Sequence, residues 1–259
     1  MIAVADRSSA VAASVKPRRG ATLRVERLCK RFGGLEVFGD ISFELPPGSV
    51  LGVIGPNGAG KTTLINVICG MLTPTSGRVM LGDKDVSALP FHTLSRQGVV
   101  RSFQQTNTFK SETVRENLLR AIQFSGGDGI AWEEIQDLLV DFELAGILDE
   151  RSDSLPYGSQ KMLGLLMAYL TGPAVLLLDE PAAGLERSER PRIDRLVQAA
   201  QSRIGCSVLI VEHDMELIKR LCPSGIVLDA GRVLASGPPS EVLARQDVID
   251  AYVGASEDD

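Results

Sequence analysis

A glycine-rich stretch of nine residues carries the strongest chemical signal in the sequence. It reads GPNGAGKTT, from Gly55 to Thr63, and lies between the apolar run VLGVI and the helix-forming run TTLINVICGML. The stretch fits the pattern G-x-x-x-x-G-K-[ST], in which glycines allow successive backbone N–H groups to point toward one anion. The start of a helix adds about half a positive charge at the same place. We therefore predict a phosphate-binding loop, and a glycine-rich turn that only begins a helix is the weaker alternative.

Every residue of this loop is a candidate nucleotide contact. The set comprises Gly55, Pro56, Asn57, Gly58, Ala59, Gly60, Lys61, Thr62 and Thr63. In such a loop the lysine, Lys61, reaches the β- and γ-phosphates, and the hydroxyl of Thr62 can ligate Mg²⁺. A nucleoside triphosphate with Mg²⁺ is the ligand that this combination predicts.

Two consecutive carboxylates end a second apolar run. The run reads VLLLDE, and its four apolar residues place Asp179 and Glu180 at the carboxyl edge of a sheet, where open α/β sheets bind ligands. Asp179 is expected to hold Mg²⁺ through water, and Glu180 to orient or deprotonate an attacking water. Taken alone, such a run is as readily a strand that enters a solvated turn. Together with the phosphate-binding loop it predicts a nucleoside triphosphatase.

Three short apolar runs must position these groups. They read VLGVI (50–54), AVLLLD (174–179) and SVLIVE (207–212), and a helical pattern follows each of them. Continuous apolar runs of this length are typical of central parallel strands that are covered on both faces. The sequence therefore predicts a βαβ layout in an α/β protein.

Other segments predict the surroundings of this core. TLRVERL and ISFEL alternate apolar with polar residues, as half-buried antiparallel strands do, and GIVLDAGRVLASG predicts two strands around a turn. Between Gln105 and Ser154 the segments SETVRENLLRAIQF and WEEIQDLLVDFEL favour helices, separated by SGGDG. We interpret this block, extended to about residues 105–165, as an inserted helical subdomain.

Composition narrows the class of protein. The chain has 259 residues, with 27 basic against 33 acidic and a net charge of −6, which argues against a general nucleic-acid binder. No apolar run approaches the roughly 20 residues that a membrane-spanning helix needs. The four cysteines show no metal-binding spacing and are expected to be reduced, inert thiols. We expect a disordered tail at 1–20, one domain at 21–254 and an acidic tail at 255–259.

Six features, in this order, resemble the nucleotide-binding subunit of an ATP-binding cassette (ABC) transporter. They are Phe32 in KRFGG, the phosphate-binding loop, Gln104 in RSFQQ, the segment LPYGSQ, the segment LLLDEPAAGL and His213 in VEHD. The resemblance covers the chain from about Thr22 to Gly254. It implies the ABC ATPase fold: a RecA-like, mostly parallel sheet core with an antiparallel β subdomain and the inserted helical subdomain.

The resemblance also implies residue roles. Phe32 matches the aromatic residue that stacks on adenine, Gln104 the glutamine that reaches the metal and the water, and His213 the histidine that contacts the γ-phosphate. On residue type alone each has a simpler alternative, because a phenylalanine is often core, a loop glutamine often has no role, and a histidine at a strand end is often structural.

The segment LPYGSQ departs from the family pattern. The resemblance places it at the signature turn, typically Leu-Ser-Gly-Gly-Gln, which faces the ATP held by a second subunit. Pro156 stands at the serine position, and Tyr157, Gly158 and Ser159 follow it as candidate nucleotide contacts. The backbone N–H groups of Gly158 and Ser159 can still face a phosphate. We expect hydrolysis to survive but to be slower than in serine-bearing relatives. The run that follows, through Leu170, is apolar nearly all round and is predicted to be a fully buried helix.

Within the family, the motifs are most similar to those of branched-chain amino acid importers. KRFGGL, RSFQ, PYG, DEPAAGL and VEHDM carry this likeness. It implies permease transmembrane subunits, a second ATP-binding subunit paired head to tail (another copy or a related chain), a solute-binding protein, and a position at the cytoplasmic face of the cell membrane. Two alternatives stay open: a soluble ABC-type ATPase, and a nucleotide-dependent regulator that no longer hydrolyses ATP.

Overall fold

Two β-sheets and a set of helices make up the protein in the computed structural model, which describes residues 20–102, 108–125 and 129–254. The strands are β1 (Leu23–Phe32), β2 (Leu35–Leu45), β3 (Val50–Ile54), β4 (Ser76–Leu81), β5 (Lys84–Asp85), β6 (Val99–Ser102), β7 (Val175–Asp179), β8 (Ser207–Val211), β9 (Ser224–Asp229) and β10 (Arg232–Gly237). The helices are α1 (Lys61–Ile68), α2 (Phe91–Arg96), α3 (Val114–Phe124), α4 (Gln136–Asp141), α5 (Tyr157–Leu170), α6 (Pro191–Ile204), α7 (Met215–Leu221), α8 (Pro239–Val242) and α9 (Gln246–Gly254).

The smaller sheet is antiparallel and has the order β2-β1-β4-β5. Its central strand β1 pairs Leu23 with Leu45 of β2 on one side and with Leu81 of β4 on the other. Leu23, Val25 and Leu45 are buried, whereas several of the intervening side chains face solvent. The alternation in the sequence therefore places one apolar face of this sheet on a core, and the predicted antiparallel subdomain is confirmed.

The larger sheet has the order β10-β9-β3-β8-β7-β6 and is parallel except for the β9–β10 hairpin. Every residue of β3, β7 and β8 is buried, as their continuous apolar runs predict. Because β8 lies between β3 and β7, the ends of those two strands are about 10 Å apart, twice the spacing of neighbouring strands. Their carboxyl ends share one edge of the sheet, so this edge gathers the candidate groups.

The middle of the chain is helical, as predicted. Helix α3 begins with a capping box, in which the Thr113 hydroxyl accepts from the backbone N–H of Glu116 and the Glu116 carboxylate accepts from that of Thr113. Short 3-10 segments at Trp132–Ile135, Ala145–Ile147 and Ser152–Ser154 connect α3, α4 and α5. Helices α3 and α5 pack their apolar faces into a core shared with α6 and one face of the larger sheet.

The prediction that the helix after the signature turn is fully buried is wrong in detail. Most of α5 is buried, but Gly164 and Met167 are partly exposed. Both line a groove of about 690 Å³ beside α3 whose surface is mostly apolar, together with Phe109 and Phe124. The low polarity of this side of α5 therefore reflects an apolar surface groove and not only core packing.

No helix in the described ranges is both long and apolar enough to cross a membrane. The predicted terminal tails are residues 1–20 and 255–259, and all of these except Gly20 lie outside the described residues.

Candidate functional site

The phosphate-binding loop connects the carboxyl end of β3 to the first turn of α1. Its backbone turns at Gly58 (φ 77°) and at Gly60 (φ 95°), a left-handed conformation that residues with a Cβ rarely adopt. Gly60 is the N-cap residue of α1, and no side chain caps this helix end. The first backbone N–H groups of α1 therefore remain available for an anion.

Lys61 is folded back over this loop. Its Nζ atom donates hydrogen bonds to the carbonyl oxygens of Gly55 and Pro56, each at 2.7 Å. Burial lowers the pKa of Lys61, and the nearby charges of Glu180 and Asp179 oppose that shift. The ammonium group is thus held at the loop, and the exposed Thr62 and half-buried Thr63 follow it in the first turn of α1.

Asp179 ends β7 and forms a buried ion pair with Arg101 on the neighbouring strand β6. Its Oδ2 atom lies 2.5 Å from an Nη atom of Arg101, and the two side chains are at most 6% exposed. The same guanidinium donates to Oδ1 of Asn66 on α1. Burial raises the pKa of the Asp179 carboxyl, and the hydrogen bond and charge of Arg101 oppose this rise. Arg101 therefore connects β6, β7 and the helix that follows the phosphate-binding loop.

The donor set at this edge fits Mg²⁺. The second carboxylate oxygen of Asp179, Oδ1, is buried and accepts no hydrogen bond from any residue that the structure describes. A carboxylate oxygen and the hydroxyl of Thr62 are hard oxygen ligands, and Mg²⁺ commonly uses one or two such protein groups with substrate phosphates. No cluster of three or more His, Cys, Asp or Glu side chains suited to a metal occurs in the described ranges.

Glu180 has an unusual backbone. Its φ is 46°, in the left-handed region, and its N–H donates to the carbonyl of Val211 at the end of β8 (2.8 Å). Holding a residue with a Cβ in such a conformation costs about 1–3 kcal/mol. The side chain is directed toward His213, whose Nε2 atom lies 3.1 Å from Oε1 of Glu180. The structure thus brings together two groups that the sequence separates widely.

Glu212 is a buried residue of the candidate site that sequence analysis missed. It is 3% exposed, and its carboxylate accepts hydrogen bonds from the backbone N–H groups of Ala182 (2.7 Å), His213 (2.8 Å) and Asp214 (3.2 Å). One carboxylate therefore joins the turn after β7 to the turn after β8. The signal was available, since Glu212 follows a buried apolar run just as Asp179 does.

Sequence analysis also missed the buried cations Arg101 and Lys161. Each is a single cation beside apolar residues, in VVRS of β6 and in the apolar helix α5 respectively, and each is buried. Buried cations need a partner, so a lone charge in an apolar run is itself a signal.

Phe32 ends β1 in the smaller sheet and is 48% exposed, with the Lys30 ammonium 4.8 Å from the centre of its ring. Strand β2, which pairs with it, reaches the phosphate-binding loop, since a Cβ on Gly60 would lie 3.3 Å from the carbonyl oxygen of Val37. The exposed ring of Phe32 thus lies at the end of β1, and the neighbouring strand β2 contacts the phosphate-binding loop.

The segment LPYGSQ, predicted from the sequence to be the signature turn, leads into helix α5. Pro156 is its N-cap residue, in an extended conformation and without a side-chain cap. Tyr157 is exposed, Gly158 is buried and Ser159 is half-buried. Gln104, the remaining candidate, lies outside the described residues.

Comparison with known proteins agrees with this arrangement. A family model described as ABC transporter matches residues 38–183. The chain is 36% identical to the high-affinity branched-chain amino acid transport ATP-binding protein LivG of Escherichia coli (strain K12), over 90% of this chain and 97% of that protein. It is 30% identical to the lipopolysaccharide export system ATP-binding protein LptB of the same organism, over 90% and 98%.

A solved structure is similar over the same extent. The ADP conformation of MJ1267, an ATP-binding cassette of an ABC transporter, superimposes with a TM-score of 0.79 at 29% identity, covering 90% of this chain and 99% of that one. The fold, the phosphate-binding loop and these relatives lead to one assignment. The chain belongs to the ABC transporter family, as an ATP-binding subunit that couples ATP hydrolysis to transport.

Proposed function

We propose that the chain is the ATP-hydrolysing motor subunit of an importer for branched-chain amino acids or similar small polar solutes. We propose this substrate class because the chain is similar to LivG over nearly its whole length. BraF of Pseudomonas aeruginosa, another high-affinity branched-chain amino acid transport ATP-binding protein, is 35% identical over 90% of the chain and supports the same class.

In this proposal each part of the bound nucleotide is assigned to particular residues. Phe32 stacks on the adenine, a contact that contributes about 1–3 kcal/mol by analogy with base stacking. The backbone N–H groups of the loop from Gly55 to Thr63 and the ammonium of Lys61 bind the phosphates. Thr62, Asp179 and Gln104 are the residues that would hold Mg²⁺. When bound, Mg²⁺ neutralises charge that develops on the phosphate oxygens.

Glu180 is the residue that acts on the attacking water. Its carboxylate orients this water and accepts its proton, because it lies at the sheet edge beside the phosphate-binding loop. His213 donates a hydrogen bond to the carboxylate and so holds it in place, at the 3.1 Å separation given above. Charge on Lys61 and the helix start stabilises the phosphates that leave.

The second ATP-binding subunit completes the site. In this proposal Tyr157, Gly158 and Ser159 of one subunit face the ATP bound by the other, through backbone N–H groups at the start of α5. Closing and reopening of the pair then follow ATP binding and hydrolysis.

The groove beside α3 and α5 is the surface that we assign to the permease. Phe109 and Phe124 are 50% and 57% exposed there, an arrangement that suits an apolar partner surface better than water. A permease bound at this groove would hold the chain at the cytoplasmic face of the membrane, and a solute-binding protein would deliver the solute on the other side.

Substitution Glu180→Gln tests the motor function. It keeps the shape of the side chain and removes its basicity, so ATP turnover should fall by at least about a hundredfold while ATP binding persists. An ATP-dependent dimer that appears on gel filtration only in this variant would show that the unaltered chain hydrolyses ATP. The exposed Glu44→Gln is the control. Identical behaviour of Glu180→Gln and the unaltered chain would favour the non-hydrolysing regulator.

The solute is tested separately. The chain is co-expressed with the permease subunits and solute-binding protein that co-purify with it, and ATP-dependent uptake of leucine is measured in vesicles. Uptake that is lost in Glu180→Gln supports the proposal. ATP turnover without leucine uptake would overturn the substrate class and leave the motor function standing. Turnover stimulated by lipopolysaccharide, the substrate that the name of LptB suggests, would do the same.

A further inference from the structure

A buried lysine connects the signature helix to the turn that carries Glu180. Lys161 lies one helical turn after the start of α5 and is 4% exposed. Its Nζ atom donates to the carbonyl oxygen of Glu180 at 2.8 Å and to that of Ala183 at 2.7 Å. An ammonium group this deep is favourable only if acceptors satisfy it, so these two backbone bonds explain why it is here.

The position of these acceptors gives the lysine a role in the site. Both carbonyls belong to the turn after β7, which leaves the strand through the left-handed backbone of Glu180. A single ammonium group that donates to both carbonyl oxygens holds the two ends of this turn together. Burial lowers the pKa of the Lys161 ammonium, and the negative charges of Glu212, Glu180 and Asp179 oppose that shift.

Two close contacts reinforce this link. A Cβ on Gly184 would lie 2.5 Å from the Cε1 atom of Tyr157, and a Cβ on Gly158 would lie 2.0 Å from Oε1 of Glu189. The ring of Tyr157 therefore packs against the backbone at Gly184, and the carboxylate of Glu189 packs against the backbone at Gly158. Two hydrogen bonds and two close contacts thus attach the start of α5 to the segment from Glu180 to Glu189.

We propose that Lys161 is a positioning residue, which fixes Glu180 relative to the signature turn so that the two move as one unit. This inference rests on the proposed function, in which Glu180 acts on the ATP of its own subunit and the signature turn acts on the ATP of the partner. A displacement of the turn by the partner's nucleotide is then transmitted through Lys161 to the Glu180 carboxylate. The link makes hydrolysis at one site dependent on engagement at the other.

The test compares Lys161→Met with Lys161→Arg in the full-length chain. Methionine keeps most of the length of the side chain and removes the donor, whereas arginine keeps the charge and can donate to two acceptors. We expect Lys161→Met to lower kcat for ATP by at least about tenfold with KM changed by less than about threefold, because ground-state binding does not involve this link. Lys161→Arg should recover at least about half of kcat. Lys84→Met, an exposed lysine on β5, is the matched control and should match the unaltered chain.

Hydrogen exchange supplies a readout that does not depend on turnover. The N–H of Ala183 donates to the carbonyl of Glu180 (3.2 Å) and that of Leu185 to the carbonyl of Ala182 (3.1 Å). In Lys161→Met these amides should exchange at least about tenfold faster, with exchange elsewhere in the sheet unchanged. A uniform increase over the whole chain would instead mean a general loss of stability, and would overturn the proposal.

The outcomes separate this inference from the function on which it rests. If the unaltered chain hydrolyses ATP and Lys161→Met matches it in kcat and in exchange, the positioning role is wrong. If the unaltered chain does not hydrolyse ATP, the proposed function fails, and unchanged exchange at Ala183 would still overturn the link. Should Lys161→Met not fold, Lys161→Gln takes its place, because the glutamine side chain is neutral and one atom shorter. It should show the same selective loss of kcat, and an unchanged kcat would contradict the proposal.

Discussion

The Nε2 atom of His213 lies 3.1 Å from the Oε1 atom of Glu180. An ionised carboxylate can only accept hydrogen bonds, so Nε2 carries the proton and the imidazole is the donor. Glu180 is also held through its backbone, by its N–H to Val211 and by its carbonyl to Lys161. The residue proposed to act on water is therefore held both through its backbone and through its carboxylate.

Removal of this imidazole should affect catalysis more than binding. In His213→Ala the Glu180 carboxylate loses its donor, and we expect kcat to fall by about 10²-fold with a KM within about threefold of the unaltered value. Steady-state ATPase kinetics measure both constants. His92→Ala is the control, since His92 is exposed on α2. A change in KM alone would contradict the role of His213 in placing Glu180.

The stability of the fold should depend on both acceptor oxygens of the Glu212 carboxylate. In Glu212→Gln an amide NH₂ replaces one carboxylate oxygen and would face a backbone N–H of Ala182 or His213, donor against donor. We expect a loss of about 1–3 kcal/mol in the free energy of unfolding, the cost of an unsatisfied buried group. Urea denaturation measures it. The exposed Glu241→Gln should change stability by less than about 0.5 kcal/mol, and equal losses in both variants would refute the assignment.

The Arg101–Asp179 pair should behave as a buried ion pair. Arg101→Met leaves the Asp179 carboxylate buried without its cation and should cost about 3–5 kcal/mol, whereas Arg31→Met, which breaks an exposed pair with Glu36, should cost at most about 1 kcal/mol. Asp179→Asn in the Arg101→Met background should recover most of the loss. Denaturant titration of these variants provides the check, and a double variant no more stable than Arg101→Met would show that the charge is not the cause.

Restoration of serine at the signature turn should speed hydrolysis. In Pro156→Ser the N-cap position of α5 gains a hydroxyl, which can cap the helix or contact a phosphate on the partner subunit. We expect ATP turnover of the assembled transporter to rise by about two- to tenfold. Pro156→Ala removes the ring without adding a hydroxyl and should leave turnover near the unaltered rate. An unchanged or lower rate in Pro156→Ser would contradict the prediction.

The cysteines should differ sharply in reactivity. Burial raises the pKa of Cys206 and of Cys222 to about 12, so at pH 8 both are protonated thiols within the core, and burial also raises the pKa of Cys69. Cys29 is partly exposed. Iodoacetamide treatment of the folded chain followed by mass spectrometry should therefore modify Cys29 alone, and all four cysteines after denaturation. Rapid modification of Cys206 in the folded chain would show that the core around it opens.

Much of the fold could be predicted because its signals are local. The apolar runs of β3, β7 and β8 are short and continuous, and the glycines of the phosphate-binding loop stand at positions whose backbone excludes other residues. Each of these features depends on neighbours in sequence. The same holds for the pair Asp179 and Glu180, which a strand end places at the sheet edge whatever the strand order.

The contacts that support the site could not be predicted, because they depend on which strands are neighbours. Arg101 meets Asp179 since β6 lies beside β7, and Glu212 reaches Ala182 since β8 lies on the other side of β7. Residue type and spacing do not determine that order. Lys161 depends further on the angle at which α5 approaches the turn after β7, which is set by packing of the whole helical subdomain.

The neighbours of β3 also affect how the chain acquires its function during synthesis. This strand precedes the phosphate-binding loop and pairs with β8 on one side and β9 on the other. Both of these strands lie near the C-terminus and are therefore synthesised late. A nascent chain that has emerged only through α5 therefore exposes both edges of β3, without the strands that would hold its loop in place. We expect nucleotide binding to begin only when β9 has left the ribosome, so that incomplete chains neither consume ATP nor compete for membrane partners.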